Sequence, residues 1–440
     1  MNSIWYSILL SAICYSFAFL WPSYYAWAIL LFLPLLIPVF FAQKPFIYGL
    51  VWGLIAYGVH FFWFFDLLHT HSEASVIGAL LGYLCAISYF SLTSGLWFWS
   101  THKLLLFTQR VIPEIMPQKL FWRILSCIIT IVTIIITTIS YFMIIDRWIL
   151  TPLGRIEGYS LVNPLIPLAH YHWFIKLCAL ICSLYYNNGV EQEYNQEHNS
   201  IDLPTIVYLE PLVNKKKGRD KPWASNPYGV GQAIFHQLVS LNLQKYQDKP
   251  IIIVAPESAY RFALNYYPEI INLWSTVLPK NAHLLIGSQR RDRENLLQAV
   301  HWIHQRRIIN FYVKKHRLPF VEKIPKIWRS FQWVSDLFLK DVVEFTAGKN
   351  KRQNKIFCIT PDLYAVPTMC SEFFFARPIE EFLNFKSRTR KSIAIFFFVN
   401  DSWFCDYFNT TLELFTRLKS AAIGLPVVYI THTKANVISS

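Results

Sequence analysis

Residues 308–322 read IINFYVKKHRLPFVE. The first part of this stretch, Ile308–Val313, is rich in β-branched and aromatic residues, which favour a strand over a helix. The strand-like run stops at a charged residue, Lys314, and the chain then becomes polar. Similar runs occur elsewhere in the second half, at Ile206–Leu209, Ile251–Val254, Leu284–Ile286, Ala365–Met369, Ile393–Val399 and Val427–Ile430. Strands that are apolar at nearly every position are usually buried on both faces, as in layered α/β proteins.

Helical patterns separate several of these runs. They lie at Gln232–Gln244, Glu269–Val277, Pro378–Phe385 and Thr410–Ala422. Strands that alternate with helices indicate packed layers of sheet and helix. We therefore predict an α/β domain, with an αββα sandwich as one form of it, over residues 205–440.

The first half of the chain has a different character. Residues 1–190 carry 8 Lys and Arg and 5 Asp and Glu, whereas residues 191–440 carry 33 and 22. Apolar runs of about 20 residues are long enough to cross a bilayer. Five such runs are Ile4–Leu20, Tyr25–Ala42, Phe46–Phe65, Ser75–Trp99 and Ile124–Ile145, and a weaker sixth is Ile166–Tyr186. We predict a polytopic helical membrane domain of five or six helices over residues 1–186, then a polar linker over 187–204.

The charge pattern bears on partners and on orientation. The second half carries a net charge of +11, but it has no DNA- or RNA-binding motif, so nucleic acid is not an expected partner. A basic domain next to a membrane domain most simply meets phospholipid head groups.

Basic residues in the loops after the second and fourth runs place the N-terminus in the cytoplasm. Six spans would then leave the second domain inside the cell, and five would leave it outside.

Three residues with reactive side chains follow predicted strands. Glu257 comes after Ile251–Val254, Lys314 after Ile308–Val313, and Cys370 after Ala365–Met369. Reactive groups in α/β folds converge at such strand ends. A cysteine nucleophile needs a base to make its thiolate and a cation to stabilise the oxyanion. Glu257 and Lys314 fit those two needs.

Each of the three residues also has an ordinary explanation. Glu257 could be a surface carboxylate, Lys314 part of a solvated basic run, and Cys370 a small core residue. The eight cysteines have no zinc-like spacing, and no cofactor motif is present, so neither a metal nor a cofactor is expected. The residues alone leave both interpretations open.

The segments around the three residues resemble a known family, bacterial apolipoprotein N-acyltransferase, a membrane member of the nitrilase (carbon–nitrogen hydrolase) superfamily. Its Trp-Pro-Glu segment is similar to Pro256-Glu257-Ser258, and its Cys-Tyr-Glu segment to Cys370-Ser371-Glu372. Its Y-x-K-x-x-L-V-P-F-G-E segment is similar to residues 312–322, and its N-D-x-W-F segment to residues 400–404. The resemblance extends over most of the chain, the membrane half included.

The resemblance implies a role for each matching residue. Cys370 would take the acyl chain as a thioester, Glu257 would be the general base, and Lys314 would stabilise the oxyanion. Glu322 would support the triad, and Glu372, Trp403 and Trp223 would shape the site. The implied donor is phospholipid and the implied acceptor an apolipoprotein, in the bacterial cytoplasmic (inner) membrane with the catalytic domain on its outer, periplasmic face.

Several positions depart from the family pattern. Ser371 replaces the family tyrosine, Val321 and Cys405 replace glycines, and the family's seventh span and last strands have no counterpart, so we expect a C-terminally shortened domain. Two alternatives to acyl transfer remain open. One is a membrane-tethered amidase in which water resolves the same intermediate. The other is a catalytically impaired homologue that keeps the fold.

Overall fold

The computed structural model describes residues 2–21, 25–71, 75–115, 127–138, 140–141, 171, 173, 175–177, 180, 203–211, 225–246, 249–317, 322, 345–348, 356–374, 392–403 and 406–438. The chain divides into two compact units. The first holds Met1–Tyr171 together with Trp328–Asp341 and Phe404–Phe415. The second holds His172–Ile327, Val342–Trp403 and Thr416–Ser440.

Apolar helices make up the described part of the first unit's N-terminal region. They are α1 (Asn2–Leu20), α2 (Tyr25–Phe40), α3 (Pro45–His60), α4 (Phe62–Asp66), α5 (Val76–Ile115) and α6 (Cys127–Thr138). Ser3–Leu20 and Val76–Thr108 are long and apolar enough to cross a membrane. The segments Pro45–His60 and Phe62–Thr70 would form a third span that is bent by 54°.

The first four predicted spans coincide with helices, but not all of them are long enough to count as spans. Helix α2 has only 16 residues and contains Pro34 and Pro38. The predicted spans Ile124–Ile145 and Ile166–Tyr186 are described only in part, and the linker 187–204 lies almost wholly outside the described residues. Five or six spans therefore stays a prediction.

Close packing of α3 against α5 depends on two glycines. A Cβ added at Gly49 would lie 2.6 Å from the carbonyl oxygen of Ser94, and one added at Gly53 would lie 2.6 Å from the Cα of Ser91. Helices in membranes often approach each other through small residues in this way. A buried hydrogen bond of 3.1 Å from the Trp52 indole to the Ser11 hydroxyl ties α3 to α1.

The described part of the second unit contains two five-stranded mixed sheets. The first has the order β1-β2-β3-β4-β5, with β1 (Thr205–Tyr208), β2 (Ile251–Ala263), β3 (Ala282–Asp292), β4 (Asn295–His304) and β5 (Arg307–Val313). The second has the order β10-β9-β8-β7-β6, with β6 (Phe357–Thr360), β7 (Leu363–Met369), β8 (Ser392–Phe398), β9 (Val427–Ile430) and β10 (Ala435–Ile438). Strands β1, β2 and β3 run parallel, as do β7, β8 and β9, so their carboxyl ends lie at one edge of each sheet.

One apolar cluster joins the two sheets face to face. It combines first-sheet and second-sheet residues, among them Ile252, Val254, Leu285, Trp302, Phe357, Met369, Phe396, Phe398 and Val428. The opposite face of the first sheet is covered by α7 (Pro227–Ser240) and α8 (Pro268–Ser275). Near the second sheet, the hydroxyl of Ser420 in α9 (Asp406–Ile423) donates to the carbonyl of Ile438, at 3.3 Å. The predicted layered α/β architecture is confirmed for the described residues.

The strands differ from the predicted ones in several places, and one predicted helix lies outside the described residues. Strands β4, β6 and β10 were not predicted, and β2 is much longer than Ile251–Val254. Strand β4 contains Gln298 and His301, which are buried although they are polar, so the apolar run that marks the other strands is interrupted there. The predicted helix Pro378–Phe385 lies outside the described residues.

Candidate active site

The structure brings Glu257, Lys314 and Glu322 into direct contact. The Lys314 ammonium nitrogen lies 3.0 Å from Oε1 of Glu257 and 2.7 Å from Oε1 of Glu322. All three residues are at most 2% exposed. One buried cation therefore bridges two buried carboxylates, an arrangement that is stable only because the charges and hydrogen bonds are paired.

Glu257 is aimed by an irregularity in β2. The pairing of β2 with β3 shifts register between Ala255 and Tyr260, and Ser258 has a φ of 61°. A bulge of this kind re-aims a side chain and is common beside active sites. Gly287 on β3 makes the local path possible, because a Cβ there would lie 2.2 Å from the Pro256 carbonyl oxygen. Sequence reasoning placed Glu257 after a strand, whereas it lies within one.

Lys314 follows β5 directly, as predicted. Its backbone N–H donates to the carbonyl of Gln298 at 2.8 Å, and its own carbonyl accepts from the Gly348 N–H at 2.9 Å. Gly348 is packed against Val313, since a Cβ at Gly348 would lie 2.6 Å from the Val313 Cβ. These contacts fix the backbone from which the Lys314 side chain enters the interior.

Cys370 lies at the junction between β7 and a 3₁₀ turn, Cys370–Phe374. Its φ of 40° is in the left-handed region, which is uncommon for a residue with a side chain. Strained backbone that is held by its surroundings is a frequent property of nucleophile turns. The residue is 6% exposed. The charge of Lys314 lowers the pKa of its thiol, whereas the charges of Glu257 and Glu322 raise it.

Burial and neighbouring charges shift the pKa of the Cys370, Lys314 and Glu257 side chains. Burial raises the pKa of the Cys370 thiol and outweighs the opposing effect of Lys314, so the resting sulfur is protonated. Burial would lower the pKa of Lys314, but the two carboxylates hold it well above its usual value. Burial also raises the pKa of Glu257, against the attraction of Lys314. A protonated thiol beside a carboxylate with a raised pKa and a permanent cation has the parts for base-assisted nucleophilic attack.

Glu372 joins the ends of two strands. Its carboxylate accepts from the Tyr312 hydroxyl at 2.8 Å, from the Lys315 N–H at 2.6 Å and from the Met369 N–H at 3.3 Å. Burial raises its pKa to about 7, although the hydrogen bonds from Lys315, His316 and Tyr312 act the other way. The neighbouring Ser371 hydroxyl donates to the His316 carbonyl at 2.9 Å. Glu372 thus ties the end of β5, which Lys314 follows, to the end of β7, which Cys370 follows.

Two other predicted site residues, Trp403 and Trp223, are described only in part or not at all. Trp403 belongs to a 3₁₀ turn, Asp401–Trp403, but its side chain is not among the described parts, and Trp223 lies outside the described residues. Their roles stay predictions. Sequence reasoning did not find His432, whose Nε2 lies 2.8 Å from the Glu257 carbonyl oxygen. The sequence signal that could have indicated it is the polar turn THTK at residues 431–434, which follows the strand-like run Val427–Ile430.

Within the described ranges, no group of three or more His, Cys, Asp or Glu side chains could hold a metal ion. Separately from any metal, Cys370 offers a thiol, Glu257 a carboxylate and Lys314 a cation. A thiolate, a proton acceptor and a cation together support attack on an ester or amide carbonyl and formation of an acyl-enzyme.

Comparison with known proteins adds little. No protein-family model matches the sequence, and no curated protein matches it. One similar solved structure is glutamine-dependent NAD+ synthetase from Acinetobacter baumannii, with a TM-score of 0.34 and 11% identity, covering 47% of this chain and 35% of that chain. Another is a CN-hydrolase superfamily protein from Xanthomonas campestris, with a TM-score of 0.29 and 12% identity, covering 48% and 77%. Scores this low carry no argument, so function is inferred from the side-chain geometry.

Proposed function

We propose that this protein is a membrane-anchored N-acyltransferase that moves a fatty acyl chain from phospholipid, through a thioester on Cys370, to the N-terminal amine of an apolipoprotein. One observation carries the proposal: the buried cluster of Glu257, Lys314 and Glu322, which acts electrostatically on the thiol of Cys370. The cluster supplies the base and the cation, and Cys370 supplies the nucleophile that acyl transfer requires.

In the first half-reaction, Glu257 takes the proton from the Cys370 thiol as the sulfur attacks the ester carbonyl of the phospholipid. Lys314 stabilises the negative charge that develops on the carbonyl oxygen. The carbon–oxygen bond of the ester then breaks, and Glu257 returns its proton to the departing lysophospholipid. The products are a lysophospholipid and an acyl thioester on Cys370.

In the second half-reaction, the acceptor amine attacks the thioester carbonyl. Glu257 removes a proton from the attacking nitrogen, and Lys314 again stabilises the oxyanion. The carbon–sulfur bond breaks, and the proton returns to the sulfur. An amide is formed, and the Cys370 thiol is regenerated.

The apolar helices support a lipid substrate. Among the described residues, two helices are long and apolar enough to cross a membrane. A donor and an acceptor confined to the same bilayer meet at a high effective concentration. The proposal places the protein in the bacterial cytoplasmic membrane with its catalytic domain on the outer face, since that is where lipid-modified apolipoproteins would be met.

The test uses the full chain in detergent with phosphatidylethanolamine that carries a labelled acyl chain, and a diacylated lipopeptide with a free N-terminal cysteine. We expect label on the peptide amine, no transfer to the same peptide with an acetylated N-terminus, and no transfer by Cys370→Ala. Label released as free fatty acid, regardless of the amine, would instead indicate the hydrolytic alternative. A folded protein that transfers nothing would contradict the proposal.

A further inference from the structure

A second set of contacts holds the backbone of Glu257 in place, and it is centred on His432. The Glu257 carbonyl oxygen can only accept a hydrogen bond, so the His432 ring carries its proton on Nε2 and donates it over 2.8 Å. His432 is partly buried and lies in the turn between β9 and β10. The second sheet therefore contacts the backbone of the residue that supplies the base.

Asp401 fixes His432 in turn. One carboxylate oxygen of Asp401 accepts from the His432 backbone N–H at 2.6 Å, and the other accepts from the Thr433 hydroxyl at 3.3 Å. The preceding residue, Asn400, donates its N–H to Oε2 of Glu257 at 3.3 Å. The Asn400–Asp401 pair thus reaches Glu257 twice, directly at the carboxylate and through His432 at the carbonyl.

These two contacts act at opposite ends of one residue whose neighbour is strained. Ser258 has a φ of 61°, a conformation that L residues hold only where the surroundings determine it. Fixing both the carbonyl and the carboxylate of Glu257 leaves little freedom for the side chain that contacts Lys314. Without the carbonyl contact, the backbone can relax and the carboxylate can turn away.

We propose that His432 is a positioning residue, which through its hydrogen bond to the Glu257 carbonyl aims the Glu257 carboxylate at Lys314 and Cys370. The inference rests on the proposed role of Glu257 as general base. Glu257 takes the thiol proton, so its misplacement affects the acylation step rather than substrate binding. A misplacement of about 1 Å can cost roughly 100-fold in rate.

The experiment measures acylation of Cys370 in the full-length protein by a p-nitrophenyl acyl ester, from the burst of p-nitrophenol, as a function of pH. The variants are His432→Ala, His432→Gln and Glu257→Gln. The matched control is His304→Ala, since the His304 ring also bonds a backbone carbonyl, that of Ala282, at 2.8 Å, but at the opposite end of the first sheet.

We expect His432→Ala to slow the burst roughly 10- to 100-fold with little change in the KM for the ester. The acidic limb of the variant's pH–rate profile should move to higher pH. The reason is that a Glu257 carboxylate turned away from Lys314 loses the positive charge that favours its ionised form. His432→Gln keeps a donor and should recover part of the rate, and His304→Ala should behave as the wild type. All variants are checked by thermal melting.

Each other outcome overturns one of the two ideas. If Glu257→Gln slows the burst but His432→Ala does not, the positioning role of His432 is wrong and the base stands. If His304→Ala slows it as much as His432→Ala, or if His432→Ala raises only the KM, the role of His432 is merely structural. If the wild type shows no more burst than Cys370→Ala, the proposed function itself fails.

Discussion

Replacing Lys314 by methionine removes the cation that bridges two buried carboxylates. The side chains of Lys314, Glu257 and Glu322 are at most 3% exposed, so solvent cannot replace the lost charge. Removing one partner of a buried ion pair typically costs about 3–5 kcal/mol. Because two carboxylates lose their partner here, we expect the free energy of unfolding at neutral pH to fall by about 5 kcal/mol. The loss should shrink as the pH is lowered, since a protonated carboxyl needs no cation.

Denaturant unfolding in detergent, followed by tryptophan fluorescence, measures the effect. Glu322→Gln should cost about 1 kcal/mol, since the amide can still accept from Lys314. The double variant should be more stable than the sum of the two single losses predicts, by roughly 1–3 kcal/mol, because it buries one bare carboxylate instead of two. Lys315→Met is the matched control at an exposed neighbouring position and should stay within about 0.5 kcal/mol of the wild type. Additive losses, or a Lys314→Met variant as stable as the control, would refute the reasoning.

Three further predictions follow from packing and ionisation. Gly287→Ala should destabilise the second unit by about 1–3 kcal/mol and slow acylation, because the new Cβ would lie 2.6 Å from the Glu257 Cα; denaturation and the ester burst check both effects. Gly53→Ala should cost a similar amount in thermal stability without changing the burst, because its Cβ meets Ser91 instead. Glu372 has a folded pKa of about 7 against an ordinary 4.5, so its stabilising contribution is complete below 4.5 and is lost as the pH rises through 7. The wild type should therefore lose about 3 kcal/mol over that range relative to Glu372→Gln, and parallel pH–stability curves would contradict this.

Much of the second domain's fold follows from short apolar runs. Such runs marked β1, β2, β3, β5, β7, β8 and β9, because strands in a layered core need apolar residues. Strand β4 escaped this pattern because buried polar residues interrupt its apolar run. One of them, His301, has its partner on another strand, since its ring contacts the Ser288 hydroxyl at 2.7 Å. A partner that lies on another strand cannot be recognised from a single segment of sequence.

The site was predictable in its residue types but not in its geometry. Strand ends singled out Glu257, Lys314 and Cys370, and the resemblance to the acyltransferase family added Glu322. The positive φ of Cys370 and the register shift that aims Glu257 are consequences of tertiary packing that no local pattern encodes. The contact of His432 with Glu257 joins residues that are 175 positions apart. Such a pairing becomes visible only in three dimensions.

The central claim is that Cys370 carries the acyl chain. Its most direct test is intact-protein mass spectrometry of the full chain after incubation with phosphatidylethanolamine and no acceptor. We predict a mass increase of one acyl chain that maps to Cys370, is removed by neutral hydroxylamine as a thioester is, and is absent from Cys370→Ala. A folded protein that stays unmodified, or that gains the same adduct in Cys370→Ala, would contradict the account.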